Sequence, residues 1–256
     1  MGIYSGHTDP ASASTPTHAF SRTGGPLVAV AGLVGGAGAS TLAHLLAAAA
    51  AAASSSAPIL LAETGGSRAS LGLLAGVSSP GSLDQVARDV DAGRRSEGPP
   101  FAVTVDGLRV IAGGPCLESR DGNDESIELV LDDARAAHGL TVVDCCSIDR
   151  VVDQIVLTRA THVVWVAPAA TSASVRAAAV LDDAELPITA RELLAVRLDD
   201  DVDTPPAPPR AWSEIARRRD ADVVLVPRIP RIDSLPLADR LDEVALALRA
   251  IVGALK

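Results

Sequence analysis

The sequence predicts an α/β fold of three layers, a mostly parallel sheet with helices on both faces, behind a disordered N-terminal tail. Three observations carry this. Short continuous apolar runs recur along the chain: "PLVAVAG", "PILLAE", "LTVVDCC", "THVVWVAP", "RELLAVRL" and "ADVVLVP". Segments with helical spacing of apolar residues separate them. Strands that are apolar on both sides belong in a sheet covered on both faces. The third observation is Met1 to Gly25, rich in Ser, Thr, Pro and Gly and without periodicity, which reads as disordered. Residues 1–25 are therefore assigned as a tail and residues 26–256 as one α/β domain, long enough to bury a sizeable core.

The elements follow in order. "PLVAVAG" is the first strand, and the helix after it runs from Ser40 to Ala53. "PILLAE" is the second strand. "SLDQVARDVDAG" is a short helix with Ser82 as N-cap and Gly93 as its stop. "FAVTVDGLRVIAG" holds an Asp-Gly turn between two β-rich runs and reads as a hairpin. "DESIELVLDDARAAHG" is a helix, "LTVVDCC" a buried strand, "DRVVDQIVLTRA" a helix and "THVVWVAP" a strand. "SASVRAAAVLDDA" and "RELLAVRL" continue the alternation. The acidic, proline-rich "DDDVDTPPAPPR" is a loop, "AWSEIARRRD" a helix, "ADVVLVP" a strand and "LADRLDEVALALRAIVGAL" the last helix. In that last helix Leu237, Leu241, Val244, Leu248, Ile251 and Leu255 recur at helical spacing. Its other face mixes Asp239, Asp242 and Glu243 with Arg240 and Arg249, which suits packing on the sheet better than a basic membrane-surface helix.

Composition narrows the function classes. The net charge of −10 gives no whole-surface attraction for DNA or an anionic membrane. The only lysine is Lys256; arginine is the general cation, as in the proteins of a GC-rich bacterial genome. Cys116, Cys145 and Cys146 are an odd set with two neighbours. They read as small buried residues in a reducing cytoplasm, not as a disulfide framework or metal site. No apolar run is long enough to span a membrane, and the N-terminus lacks the order of a signal peptide.

The chemistry is expected where ligands sit in such sheets, at the carboxyl ends of the strands. The first of these ends is "GLVGGAGAST". Gly32, Gly35, Gly36 and Gly38 let the backbone turn and expose its N–H groups, and the helix near Ser40 points its positive end into the same space. That is an anion site, formed by Gly35, Gly36, Ala37, Gly38, Ala39, Ser40 and Thr41. Glu63 and Asp144 end two further strands beside it. One reading is a dinucleotide-binding turn: Gly32, Gly36 and Gly38 have reductase-like spacing, and Glu63 stands where a ribose-binding acid belongs. The reductase chemistry itself needs Tyr-x-x-x-Lys, and the chain has only Tyr4 and Lys256. NAD(P) binding without that chemistry stays open.

A second reading uses more of the chain. "VGGAGAST" resembles the deviant phosphate loop of the MinD/ParA ATPases, K-G-G-x-G-K-[ST]-[ST], through Gly35, Gly36, Gly38, Ser40 and Thr41. "ILLAETGGSRASLGLLAG" resembles that family's second strand and switch region, with Glu63 and Gly65 in place of two aspartates. "LTVVDCC" resembles its Walker B strand, with Asp144 as the aspartate. "DGLRVIAGGP", the "SVR" helix and "DVVLVPRIPRIDSLPLADR" are similar to later segments in the same order. The likeness is greatest to the CpaE/TadZ branch, which localises Tad-type pilus machinery. It implies ATP or ADP with Mg²⁺, the metal held by Ser40 and Asp144, and a dimer formed through the nucleotide face.

Two departures change what the resemblance implies. Val34 and Ala39 stand where the family has its two loop lysines. One lysine binds the β- and γ-phosphates, and the other crosses to the partner's nucleotide. Losing two charge-assisted hydrogen bonds weakens ATP binding by roughly a hundred- to ten-thousand-fold if they add, and each lost transition-state contact costs roughly a further hundred-fold in rate. Glu63 adds a methylene where the family positions water. The expectation is a degenerate ATPase with no required cofactor and weak ATP or ADP binding through backbone amides. It would act as a positioning, scaffold or regulatory partner of a Tad-type pilus, secretion, septum or partition machine. Its partners would be a second copy or a competent ATPase, with no nucleic acid, and membrane or cell-pole contact only through those partners. An active ATPase that uses an arginine such as Arg68 in place of lysine remains the alternative, beside NAD(P) binding.

Overall fold

The structure is a computed structural model that describes residues 24–54, 57–65, 71–78, 81–94, 100–112, 124–145, 148–184, 190–198, 208–228 and 237–254. Arg68, Cys116, Cys146, Leu255 and most of the acidic proline-rich loop lie outside the described residues.

Each apolar run of the sequence is a strand. They are β1 (Leu27–Gly32), β2 (Ile59–Glu63), β3 (Ala102–Val103), β4 (Arg109–Ile111), β5 (Leu140–Cys145), β6 (His162–Pro168), β7 (Arg191–Arg197) and β8 (Asp222–Val226). One sheet holds them in the order β3-β4-β2-β5-β1-β6-β7-β8. The β3–β4 hairpin is antiparallel, and every other pairing is parallel. Gly107, with φ 81°, supplies the left-handed residue that the hairpin turn requires.

Period-2 alternation sorts the side chains into two cores. Val28 and Val30 of β1, Ile59 and Leu61 of β2, Val142 of β5, and Leu193 and Ala195 of β7 face one layer. That layer is made of α1 (Ala39–Ala53), α2 (Leu71–Ala75) and α8 (Leu237–Ala254). Leu27, Ala29 and Ala31 of β1, Leu60 of β2, Val143 of β5, and Leu194 and Val196 of β7 face the other. There α3 (Leu83–Asp91), α4 (Asp124–Ala137), α5 (Val151–Arg159), α6 (Thr171–Asp183) and α7 (Arg210–Arg219) pack. The buried indoles are satisfied as large amphipathic rings require: Trp165 Nε1 donates to Glu192 Oε2 at 2.8 Å, and Trp212 Nε1 reaches the Ala169 carbonyl at 3.4 Å.

The helix ends follow local rules. Ser82 caps α3 by accepting from the Gln85 N–H at 3.3 Å, and Gly93 (φ 64°) lies just past its end. Ser82→Ala is expected to lower stability by about 1 kcal/mol, read as a small fall in the urea midpoint with an unchanged slope. In α8, Val244, Leu248 and Ile251 are buried against the α1 layer, as the spacing predicted, and Ala247 is buried with them. No helix among the described residues is long and apolar enough to cross a membrane. Two details differ from the sequence expectation. The first helix starts at Ala39, one residue earlier than read, because Gly38 takes the left-handed turn. The switch-like segment also contains the short helix α2, too brief to show a period in sequence.

Candidate functional site

The loop between β1 and α1 is anchored at both ends. The Leu33 N–H donates to the Val166 carbonyl at 2.9 Å, which ties the loop's start to β6. The Ala37 N–H closes on the Val34 carbonyl at 3.2 Å, and the Leu42 N–H makes the first helical bond to the Gly38 carbonyl at 2.9 Å. Gly36 (φ 73°) and Gly38 (φ 94°) make the two left-handed turns that this path needs. Gly35 and Gly36 are exposed, Ala37 is buried, and Gly38, Ala39, Ser40 and Thr41 are half-buried. No side chain caps α1, and its first turn carries no acid. The amide-bearing positive end of the helix therefore faces the loop as the sequence implied.

The sheet brings Asp144 to this loop. β5 lies directly beside β1, with Val30 in register with Asp144. Asp144 follows Val143 in the alternation, so its side chain falls in the α1 layer, where its carboxyl meets the Ser40 hydroxyl. Glu63 is in register with Asp144 on β2 and faces the same layer. Its Oε2 accepts from the Leu71 N–H at 2.7 Å, at the start of α2. The loop, Ser40, Glu63 and Asp144 are thus one site at the carboxyl edge of the sheet.

Its electrostatics are dominated by burial. Asp144 is 1% exposed, and its Oδ1 has no hydrogen-bond partner among the described residues. Desolvation pushes its carboxyl up from 3.8 to about 7, against the Ser40 hydrogen bond; Glu63 and Asp153 push it further up, and Arg150 pulls it down. On the opposite side of the sheet the same strand ends carry a second cluster. The Thr64 hydroxyl donates to Asp153 Oδ1 at 2.6 Å, and Arg150 Nε donates to Asp153 Oδ2 at 2.6 Å. Arg150 Nη1 also donates to the Gly65 carbonyl at 2.6 Å. This fully buried, paired carboxylate ties the loop after β2 to the start of α5. Sequence reasoning missed it, because the i, i+3 spacing of Arg150 and Asp153 was its only local signal.

The residues present fit a magnesium ion. A hydroxyl and one carboxylate, beside a glycine-rich loop that opens a helix, is the sparse protein donor set that Mg²⁺ takes when a nucleotide supplies the rest. The orphaned Oδ1 of Asp144 is the observation that supports this. When bound, the ion would neutralise phosphate charge; Ser40 and Asp144 would hold it. Among the described residues no group of three or more His, Cys, Asp or Glu side chains could hold a metal by itself.

The strand order sets this sheet apart from a dinucleotide-binding one. In a dinucleotide-binding sheet the strand that ends in the ribose-binding acid lies next to β1. Here β5 intervenes between β1 and β2, and Glu63 is engaged by α2. The dinucleotide expectation for Glu63 is therefore not met. The fold is that of the MinD and ParA ATPases. It matches MinD in the MinC:MinD complex of Aquifex aeolicus with a TM-score of 0.61 at 17% identity, over 89% of this chain and 96% of that one. It matches ParA of pNOB8, bound to nonspecific DNA, with a TM-score of 0.61 at 11% identity, over 90% and 98%. The cobyrinic acid a,c-diamide synthase of Mycobacterium smegmatis, with bound ADP and magnesium, matches with a TM-score of 0.60 at 19% identity, over 88% and 91%. No protein-family model and no curated protein matches the chain.

Proposed function

We propose that this chain is a MinD/ParA-like protein that binds ADP or ATP with Mg²⁺ weakly and does not turn it over, and that acts as a positioning or scaffold partner. The observation that carries the reading is the meeting of Ser40 and the orphaned, buried Asp144 beside a phosphate-type loop that contains no lysine. Backbone amides of Gly35 to Thr41 bind the phosphates. Ser40 and Asp144 hold the metal. Nothing in the loop itself supplies the charge that a transferring phosphoryl group requires, so hydrolysis is absent.

The partner is a protein, either a second copy or a competent ATPase of the same fold. Leu73 on α2, Val151 at the start of α5 and Val175 near the start of α6 are exposed apolar residues. Each belongs to an element that begins beyond the carboxyl end of a strand, on the edge that holds the site. The MinD of the Aquifex complex is similarly paired with another protein. With a net charge of −10 the chain does not take nucleic acid, unlike the pNOB8 ParA. The machine served is of the Tad-pilus, secretion, septum or partition kind, and contact with the membrane or the cell pole runs through partners of a cytoplasmic protein.

The reading is tested by phosphate release from purified full-length chain at millimolar Mg·ATP, with light scattering for oligomeric state. The expected result is no release above buffer and a nucleotide-independent oligomer. Steady turnover lost in Asp144→Ala would show instead an active ATPase that uses an arginine.

A further inference from the structure

Arg197, the last residue of β7, lies against the outer wall of the phosphate loop. Its Nη1 donates to the carbonyl oxygens of Gly36 at 3.1 Å and Ala37 at 3.2 Å. A Cβ built on Gly38 would stand 3.4 Å from the same nitrogen. The sheet aims this side chain. Arg197 is in register with Pro168 and Val226, and its carbonyl accepts from the Ala169 N–H at 2.8 Å. Leu193 and Ala195, four and two residues earlier, face the α1 layer, so Arg197 faces it as well.

The geometry of the peptide fixes what this contact does. A trans peptide is planar, so its C=O and the N–H that follows point in opposite directions. With the carbonyls of Gly36 and Ala37 turned to Arg197, the N–H groups of Ala37 and Gly38 turn away from it. The Ala37 N–H is taken by Val34 within the turn. The direction of the Gly38 N–H is therefore set by the arginine, immediately ahead of the first-turn amides of α1. A hydrogen bond from a charged donor is stronger than one from a neutral donor, and it also polarises the peptide it engages.

We propose that Arg197 is a positioning residue for the nucleotide phosphates, clipping the loop from behind so that its amides are preset for an anion. The proposal rests on the reading of this loop as a nucleotide site. The guanidinium also places a fixed positive charge beside a loop that has none of its own between Gly32 and Thr41. It acts through the peptides, from the carbonyl side, and so does not replace a lysine that touches phosphate. This is how a loop with Val34 and Ala39 keeps an anion-binding shape.

The test uses full-length wild type, Arg197→Met and Arg197→Lys, with two readouts. One is hydrogen exchange of the loop segment 35–41 without ligand, with β1 and β5 as controls for global stability. The other is titration with Mg·ADP. For Arg197→Met the loop is expected to exchange about tenfold faster while the strands are unchanged, and ADP affinity to fall by about tenfold. Arg197→Lys, which keeps the charge, is expected to recover part of both. Wild type that binds ADP, with Arg197→Met unchanged in either readout, overturns the clip and leaves the nucleotide reading standing. Wild type that binds no ADP overturns the reading and the proposal together.

Discussion

Replacing Ala39 by lysine is expected to tighten Mg·ATP binding by about ten- to a hundred-fold, the effect of one charge-assisted contact to phosphate. Ala39 is the first residue of α1 and half-buried, so a long side chain can leave the helix there without displacing the core. Its Cβ lies 3.6 Å from where a Cβ on Gly32 would stand, at the mouth of the turn. Lysine is also a good helix former, so the fold should tolerate the change. Adding Val34→Lys should increase the gain only where two chains meet, because the resemblance assigns that lysine to the partner's nucleotide. Turnover should appear first in the double variant, and Asp144→Ala should remove it. If Ala39→Lys binds ATP no better than wild type, phosphate does not sit on this loop.

Asp144 gives the second large effect, and its sign can be worked out. The carboxyl is raised from 3.8 to about 7 in the folded protein, chiefly by burial. The folded state therefore holds this proton more tightly than the unfolded chain does. Its contribution to stability is fully present below about pH 4 and is lost as pH rises through about 7, a cost of roughly 4 kcal/mol at pH 8. Asp144→Asn removes the charge and keeps an acceptor for the Ser40 hydroxyl. It is expected to be more stable than wild type by about 2 kcal/mol or more at pH 8, with the two converging towards pH 4. Chemical denaturation of both proteins at several pH values measures this. Mg²⁺ needs the ionised carboxylate, so wild-type affinity for Mg·ADP should weaken by up to about tenfold per pH unit below 7. Asp144→Asn should lose that dependence together with most of the metal's effect. A variant no more stable than wild type at pH 8 would mean that the carboxylate is already compensated in the metal-free protein.

The sequence made some of this legible and hid the rest for identifiable reasons. Alternating apolar runs and helical segments are local, and they located the strands, the Asp-Gly hairpin and the Ser82 cap. The glycines of the loop were legible as a turn, in which Gly36 and Gly38 take positive φ and Gly32 and Gly35 do not. Asp144 was found as the end of a buried strand. Its meeting with Ser40 was implied only by the family resemblance; no local pattern shows it, because it depends on β5 lying between β1 and β2, and strand order is set by long-range packing. The same cause hid Arg197. "RELLAVR" reads as a strand with an arginine at its end, and nothing local says that this end reaches the loop after β1. Arg150, Thr64 and Asp153 assemble from two separate loops. Arg68, the arginine singled out in sequence, lies outside the described residues.

The proposed function requires a phosphate loop that persists without its lysines. Backbone amides, a helix terminus and an arginine behind the loop would preserve its anion site. The buried acid beside Ser40 would preserve a metal site whose occupancy is linked to a proton. A site of that kind would sense nucleotide without consuming it, as the proposed positioning role requires.

Isothermal titration of the full-length chain with ATP, ADP and NAD, each with Mg²⁺, tests the central claim most directly. The account predicts saturable binding of ADP and ATP at one site per chain, weakened when Mg²⁺ is withheld, and no binding of NAD. Binding of NAD alone, or of none of the three, would contradict it and leave the loop as a turn between a strand and a helix.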